Sequence, residues 1–518
     1  MIKFKAALTI SFTLSCIILH AQEQDSLDLM QNQIYRQHFE NLKSNPVQYV
    51  TLPLADFTET TLQFESRDLN MKRAQTAGQI TEYGFATDGI YNISEKLRLF
   101  GSFNYGFRTE KDLAYNLTAQ RTEENFILNP NYLLVPKAGN WETQEYNVTG
   151  GASYSHSFVD VGATVNYENR SSFRNTDPRP GISSADYSGK AFLGFNLGKH
   201  QISFFGHLGR KTEEHDIISV NEYISAPSFP DTFVRFSAGY GRIINFPSYS
   251  DFVYKTFSRG YGAGYAFRGE RDLITLNSDY SKSIETLFTK DAGGAVYFDE
   301  SLENMKYRLR NFYAQANWLH SGAEKDIISS AHFKSITGDN YSVPEQGQNF
   351  RMTLDQAGFS NAVVWKDSKR VILGLNTSAS YTDFSAIDLL GITYKYVKSI
   401  ELNLTANRDL LYSPGFKLNL EAGLNSYIPV SQSLNYTPAS SSDLMFNNVI
   451  APDYAYDSAT KLGPQFGLNF YSPITAKTNL RIFTSFAALY AISKEFQHQT
   501  GYPGTPNLYF NAGISLFY

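Results

Sequence analysis

Cysteine is all but missing: Cys16 is the only one in 518 residues, and it lies inside an apolar N-terminal stretch. With that stretch removed the chain has no disulfide framework, thiolate metal site or cysteine nucleophile. Charge is also low. Asp, Glu, Lys and Arg make up 18% of the residues, below the roughly one quarter usual in soluble proteins. The net charge is -5 with no basic stripe, which argues against nucleic acid as a partner. Long apolar runs are absent after the N-terminal stretch, and no segment approaches the ~18 residues of a spanning helix. A membrane location then leaves one architecture, since only helices and closed barrels satisfy every backbone group in lipid.

What the chain has in excess is Tyr and Phe, 35 and 39 residues beside 3 Trp. Aromatic girdles at both interfaces of a membrane barrel call for such rings. A mean hydropathy of -0.32 would suggest a soluble chain, but lumen-facing residues dilute every window of a barrel. At the amino terminus Lys3 and Lys5 precede an apolar run from Ala6 to Leu19, and Leu19-His20-Ala21 before Gln22 reads as a cleavage site. Residues 1–21 are therefore expected to be a signal peptide. Residues 22–55 are expected to form a periplasmic or lumen-docked segment, with Leu27, Met30, Ile34, Phe39 and Leu42 at the spacing of a short amphipathic helix.

From residue 56 onward the period changes to two. Val159, Val161, Ala163, Val165 and Tyr167 share one parity, and Asp160, Gly162, Thr164, Asn166 and Glu168 the other. This is the dyad of a strand with one apolar and one polar face. Phe416, Leu418, Leu420, Ala422 and Leu424 oppose Lys417, Asn419, Glu421, Gly423 and Asn425 in the same way. Short turns near 94–96, 158, 198–199, 269–270, 322–324, 367–369, 413–415 and 472–473 alternate with longer polar connections. The latter span roughly 109–143, 170–186, 211–258, 286–304, 335–349, 428–458 and 491–507. Short turns at one rim and long loops at the other mark the two ends of an outer-membrane barrel. Counting hairpins, with a first strand near 57–70 and a last near 508–518, predicts an all-β, transmembrane, antiparallel up-and-down barrel over 56–518. The count is about 18 strands, with 14 to 16 if some segments are loop structure. No blade-length repeat supports a soluble propeller. In the last strand Phe510, Ala512, Ile514, Leu516 and Tyr518 alternate with Tyr509, Asn511, Gly513, Ser515 and Phe517, and the chain stops on an aromatic. Phe510, Ile514, Leu516 and Tyr518 are read as an assembly signal for barrel-assembly machinery.

The ionisable residues on the polar parity are candidate lumen-lining groups: Asp160, Glu168, Lys190, His207, Asp279, Lys334, Glu401, Lys417, Glu421 and Arg481. Two readings stand. They bias passage through a wet pore by sign of charge, or they pair and fill the interior. No His pair has zinc-protease spacing and no His, Asp and Glu cluster has metal-ligand spacing, so neither catalysis, a metal site nor a cofactor is expected. Gly260-Tyr261-Gly262-Ala263-Gly264 is no phosphate loop, because no helix with a Lys or Ser/Thr ending follows. Glycine there is expected to permit curvature and leave lumen space.

With a leader ending in His20-Ala21-Gln22 and a terminus of Leu516-Phe517-Tyr518, the whole chain resembles Bacteroidota outer-membrane β-barrel proteins of an uncharacterised family. The resemblance implies a channel or an accessory of nutrient uptake, with metals among the candidate cargoes. The partners it implies, besides outer-membrane lipid, are a TonB-dependent uptake system or a surface lipoprotein. The alternative is a non-transporting surface or secretion-associated barrel whose long extracellular loops bind a partner.

Overall fold

The computed structural model describes residues 45, 47–48, 56–119, 129–218, 220, 230–244, 252–289, 303–367, 370–413, 415–437, 445–475, 478–492 and 505–518. The expected signal peptide and most of the expected helical segment lie outside these residues. Among the described residues there are twenty-one strands. Eighteen of them form one closed antiparallel barrel and three form a small separate sheet.

The wall begins with β1 (Phe57–Asp68), β2 (Gln79–Asn92) and β3 (Leu97–Leu113), and continues after an inserted strand with β5 (Gly139–His156), β6 (Val159–Arg174), β7 (Arg179–Leu197) and β8 (His200–Ile218). Next come β11 (Phe252–Arg268), β12 (Asp272–Thr289), β13 (Glu303–Ser321), β14 (Lys325–Ser342), β15 (Phe350–Asp367) and β16 (Arg370–Asp388). It ends with β17 (Thr393–Ser413), β18 (Phe416–Tyr436), β19 (Lys461–Pro473), β20 (Asn479–Ala491) and β21 (Asn507–Phe517). Each wall strand pairs with its sequence neighbours, and β21 closes the ring on β1 with Ile514 opposite Leu62. The ladder runs to the last residue, where Thr58 N–H donates to Tyr518 O at 2.7 Å and Tyr518 N–H to Thr58 O at 3.0 Å. Tight turns hold the rim that carries both ends of the ring. At Gly198-Lys199 the glycine takes φ +69°, the left-handed conformation that two-residue hairpin turns demand.

The outward face is an apolar belt. Val165, Leu208, Tyr261, Phe466 and Ile514 are all exposed, whereas Thr164, Asn166 and Gln465, each one position away from an exposed apolar residue, line the interior. Alternation follows from geometry, since successive side chains of a strand point to opposite faces.

The strands are longer than a bilayer requires. β17 and β18 have 21 residues each, against ~9–11 for a tilted crossing. The barrel therefore stands well clear of the apolar band on the long-connection side. There both faces are wet or covered by loops, so the dyad fades while pairing continues. The expected connection 170–186 is corrected for this reason. β6 and β7 run to Arg174 and from Arg179, with Phe173 opposite Gly181, leaving only residues 175–178 between them. The connections expected at 211–258 and 335–349 shorten likewise to 219–251 and 343–349.

At the long-connection end the loops fold into the barrel mouth as a cap. β4 (Asn131–Leu134), β9 (Arg235–Ala238) and β10 (Ile243–Ile244) form its three-stranded sheet. A π-helical turn, Phe446–Ile450, leads into helix α1 (Ala451–Ser458). Leu117, Leu133 and Phe236 of the cap pack with Trp141, Ile217, Phe252, Leu287 and Met305 of the wall. Tyr132 and Leu134 pack with Met445, Val449 and Ile450.

Two outcomes follow. Val165→Arg or Leu424→Arg, on the lipid side and six and eight positions from the short-turn rim, is expected to destabilise the bilayer-inserted barrel by roughly 2–4 kcal/mol, Val161→Arg and Leu418→Arg, only two positions from that rim, by less, while Thr164→Arg and Asn419→Arg are tolerated; urea titration of barrels refolded into vesicles measures this, and equal damage from the lipid-side and lumen-side variants would reverse the facing. Deleting residues 508–518 is expected to abolish the heat-modifiable barrel band in membrane fractions, because β1 and β20 would be left with unpaired edges in lipid.

Candidate functional site

Below the cap the barrel encloses a chamber of about 1130 Å³, lined from β1 to β7 on one side and from β18 to β21 on the other. Its lining is mixed, with amides and hydroxyls such as Gln63, Asn104, Asn166, Ser188, Gln465, Asn469 and Asn511, and with Glu59, Glu65, Asp88, Glu421, Lys190 and Arg481 as its charged groups. Phe100, Phe192, Phe483 and Tyr509 add aromatic surface.

Three residues expected to face the lumen meet at one wall. Lys190 on β7 and His207 on β8 stand opposite each other in register, and both reach Asp279 on β12. His207 Nε2 lies 3.0 Å from Asp279 Oδ1, and Lys190 Nζ 3.6 Å from its Oδ2. The strand between them, β11, offers Gly260 at this point, where a Cβ would come 2.2 Å from His207 Nε2. Glycine is what lets the imidazole lie across β11 to its partner. Across the chamber Arg481 donates through Nε and Nη2 to Asn469 Oδ1, at 2.9 and 2.7 Å, and its guanidinium lies 4.4 Å from the Phe483 ring centre. Glu421 lines the chamber on the same side.

The other predicted residues are scattered. Asp160 is fully buried and does not face the open chamber. It accepts from Gln201 Nε2 at 2.5 Å and Asn196 Nδ2 at 2.6 Å. Gln201 in turn donates to Val47 O at 3.2 Å, and Asn45 Nδ2 donates to Ser203 Oγ at 2.8 Å. Val47 is buried against Phe192 and Phe205. Asp160 thus belongs to the seat in which Asn45 and Val47 lie. Glu168 accepts from Arg170 at 3.3 Å, which also holds Glu145. Lys417 is buried with Nζ 4.8 Å from the Tyr471 ring centre. Glu401 stands opposite Tyr427 and Lys334 opposite Tyr313 and Gln356, both apart from the chamber. Among the described residues no group of three or more His, Cys, Asp and Glu is placed to hold a metal ion.

Pattern reading missed the latch of the cap. Asp457 on α1 accepts from Arg73 Nε and Nη2 at 3.0 and 2.7 Å and from Lys395 Nζ on β17 at 2.5 Å. Tyr427 OH on β18 donates to Asp457 O at 2.7 Å, and Lys461 Nζ lies 4.0 and 3.8 Å from the rings of Tyr427 and Tyr456. One turn earlier Asp453 Oδ1 accepts the Ala74 N–H at 2.7 Å. A second tie is Asp388, which accepts from Asn349 Nδ2 at 2.8 Å and Gly391 N–H at 2.9 Å through Oδ1, and from Arg242 N–H at 3.2 Å through Oδ2. The sequence signals were the i, i+4 pair Asp453 and Asp457 and the apolar run Tyr132-Leu133-Leu134-Val135 inside a connection read as polar.

Burial alone would raise the Asp457 carboxyl, but Arg73 and Lys395 outweigh it and hold it below the usual carboxylate range. Asp453 goes the other way. Burial pushes it up to about 6, with Asp457 adding to the rise and Lys395, the Ala74 N–H and Arg73 opposing it.

Comparison with solved structures finds distant outer-membrane proteins. The ferric preacinetobactin receptor BauA of Acinetobacter baumannii aligns at 10% identity and a TM-score of 0.39, over 90% of this chain and 80% of that one. A copper transporter, OprC, aligns at 7% identity and 0.41, over 90% and 80%. CdiB of Escherichia coli aligns at 11% and 0.35, over 90% and 63%. At these scores the likeness assigns neither ligand nor role. Among curated proteins no sequence matches. A family profile, in contrast, matches residues 46–518, which takes in the whole wall and the cap, and the chain accordingly belongs to a family of unknown function, DUF6850.

Proposed function

We propose that the protein is an outer-membrane channel or uptake accessory that admits small polar solutes, with the loop-built cap controlling access to the chamber. The observation that carries this reading is the chamber itself: about 1130 Å³ inside a closed wall, lined by amide, hydroxyl, charged and aromatic groups. An eighteen-stranded wall is too wide for its own side chains to fill, and the space left here carries polar groups that can hold a solute. Opposite charges are present on its lining, which favours neutral or weakly charged polar nutrients over strong ion selectivity. A TonB-dependent uptake system or a surface lipoprotein would be a partner of this activity, and barrel-assembly machinery a partner in its biogenesis.

Single-channel recording of the protein refolded into planar bilayers tests it. Removing one member of a buried ion pair costs roughly 3–5 kcal/mol, so Asp457→Asn, which leaves Arg73 and Lys395 without their carboxylate, is expected to turn a mostly closed channel into one with frequent large openings. Absence of conductance from both the wild type and this variant would overturn the reading.

The cap should also respond to pH. Asp453 has a folded-state value above its unfolded one, so the closed cap holds a proton that the open cap releases. The stabilisation is complete below about pH 4 and is lost as pH rises through 6, by up to roughly 3 kcal/mol. Asp457, shifted downward, stays charged across that window. Protease cleavage of the 437–460 connection is therefore expected to be slower at about pH 5 than at about pH 7.5, and Asp453→Asn is expected to flatten the difference.

A further inference from the structure

Four neighbouring strands carry the same vertical order of outward side chains, read from the short-turn rim. On β8, Ile202, Phe204, Gly206 and Leu208 lead to Arg210. On β11, Phe267, Tyr265, Ala263 and Tyr261 lead to Arg259. On β12, Ile274, Leu276, Ser278 and Tyr280 lead to Lys282, and on β13, Trp318, Ala316, Ala314 and Phe312 lead to Arg310. The cations lie nine to eleven positions from the ends of these strands. At ~2.5 Å of height per residue of tilted strand this is ~25 Å, the height of a barrel's apolar band. The row sits where hydrocarbon gives way to headgroups, on the side of the long connections.

Register concentrates the charge. Arg259 is directly opposite Lys282, and Lys282 directly opposite Arg310. Like charges facing across strands are destabilising, so the row is costly without an anion. Asp339 serves Arg308 at 2.8 Å and Arg310 at 3.6 Å. Among the described residues no carboxylate pairs with Arg259 or Lys282. Beneath these two cations runs a surface groove of about 860 Å³. Gly189, Ala191 and Gly206 form its floor, and Val165, Leu208 and Tyr261 stand at its sides. An apolar trough headed by two uncompensated cations matches an acyl chain that carries a phosphate.

We propose that this groove and the basic row bind a phosphorylated glycolipid of the outer leaflet, its acyl chain over the glycine floor and its phosphate between Arg259 and Lys282. The inference rests on the outer-membrane reading. Native mass spectrometry of the detergent-refolded barrel tests it with three probes: diphosphorylated lipid A, the same lipid with its phosphates removed, and inorganic phosphate. The expected result is a one-to-one adduct with phosphorylated lipid A alone. Binding should fall at least ten-fold in the double variant Arg259→Gln, Lys282→Gln, and in Ala191→Trp, which fills the groove without altering charge, while Lys282→Arg should retain it. Equal occupancy by the phosphate-free lipid or by inorganic phosphate, or undiminished binding in the double variant, would overturn the site. Heat modifiability and vesicle insertion of each variant are measured alongside. A wild-type barrel that never inserts refutes the membrane reading, whereas an inserted barrel indifferent to lipid phosphate refutes the lipid site alone.

Discussion

The structure depends on one set of hydrogen bonds, the ladder that joins the first strand to the last. A sheet in lipid has no water to satisfy an open edge, so eighteen strands are stable there only because β21 finds β1 and the ladder runs out to Tyr518. Everything else is arranged on that cylinder. The tight turns and both ends of the ring share one rim, the long connections are left free at the other, and the interior becomes a space that sequence can line or fill.

Inside, charge has two uses that the wall separates. Around the chamber the ion pairs are partly exposed, as in Lys190 and Asp279, and such pairs add little stability while leaving polar surface beside them. In the cap Arg73, Lys395 and Asp457 are buried together. Buried pairs are weak evidence for stability, because desolvation offsets their attraction. What they supply here is location: α1 can satisfy Asp457 only where the 69–78 connection and the top of β17 converge.

Sequence revealed the wall and not what stands in it, for a physical reason. Where one face meets lipid and the other water, alternation is enforced at every residue, and Val159–Glu168 or Phe416–Asn425 declares its facing without help. Above the apolar band that contrast is gone, so Phe173 and Ile182 read as loop although both lie in paired strands. Parity also assigns a face but not a neighbour. It placed Lys190, His207 and Asp279 inward, but their meeting depends on the register of β7, β8, β11 and β12 and on the bare backbone at Gly260. Asp160 has the same parity and a different fate, because chain from before the barrel settles over it. The cap's core was hidden in short apolar runs too brief to outweigh their polar surroundings.

The cap is assembled from pieces of four connections, near residues 73, 132, 240 and 455, and no covalent link joins them except through the wall. A plug threaded as a single domain leaves or stays as a whole. A mosaic has no such obligation, since the tie at Asp457 and the tie at Asp388 hold different sectors to different strands. In the channel we propose, each sector would yield by itself, the aperture would be a stepped quantity, and mutations in separate loops would tune its size without passing through a barrel that is simply open.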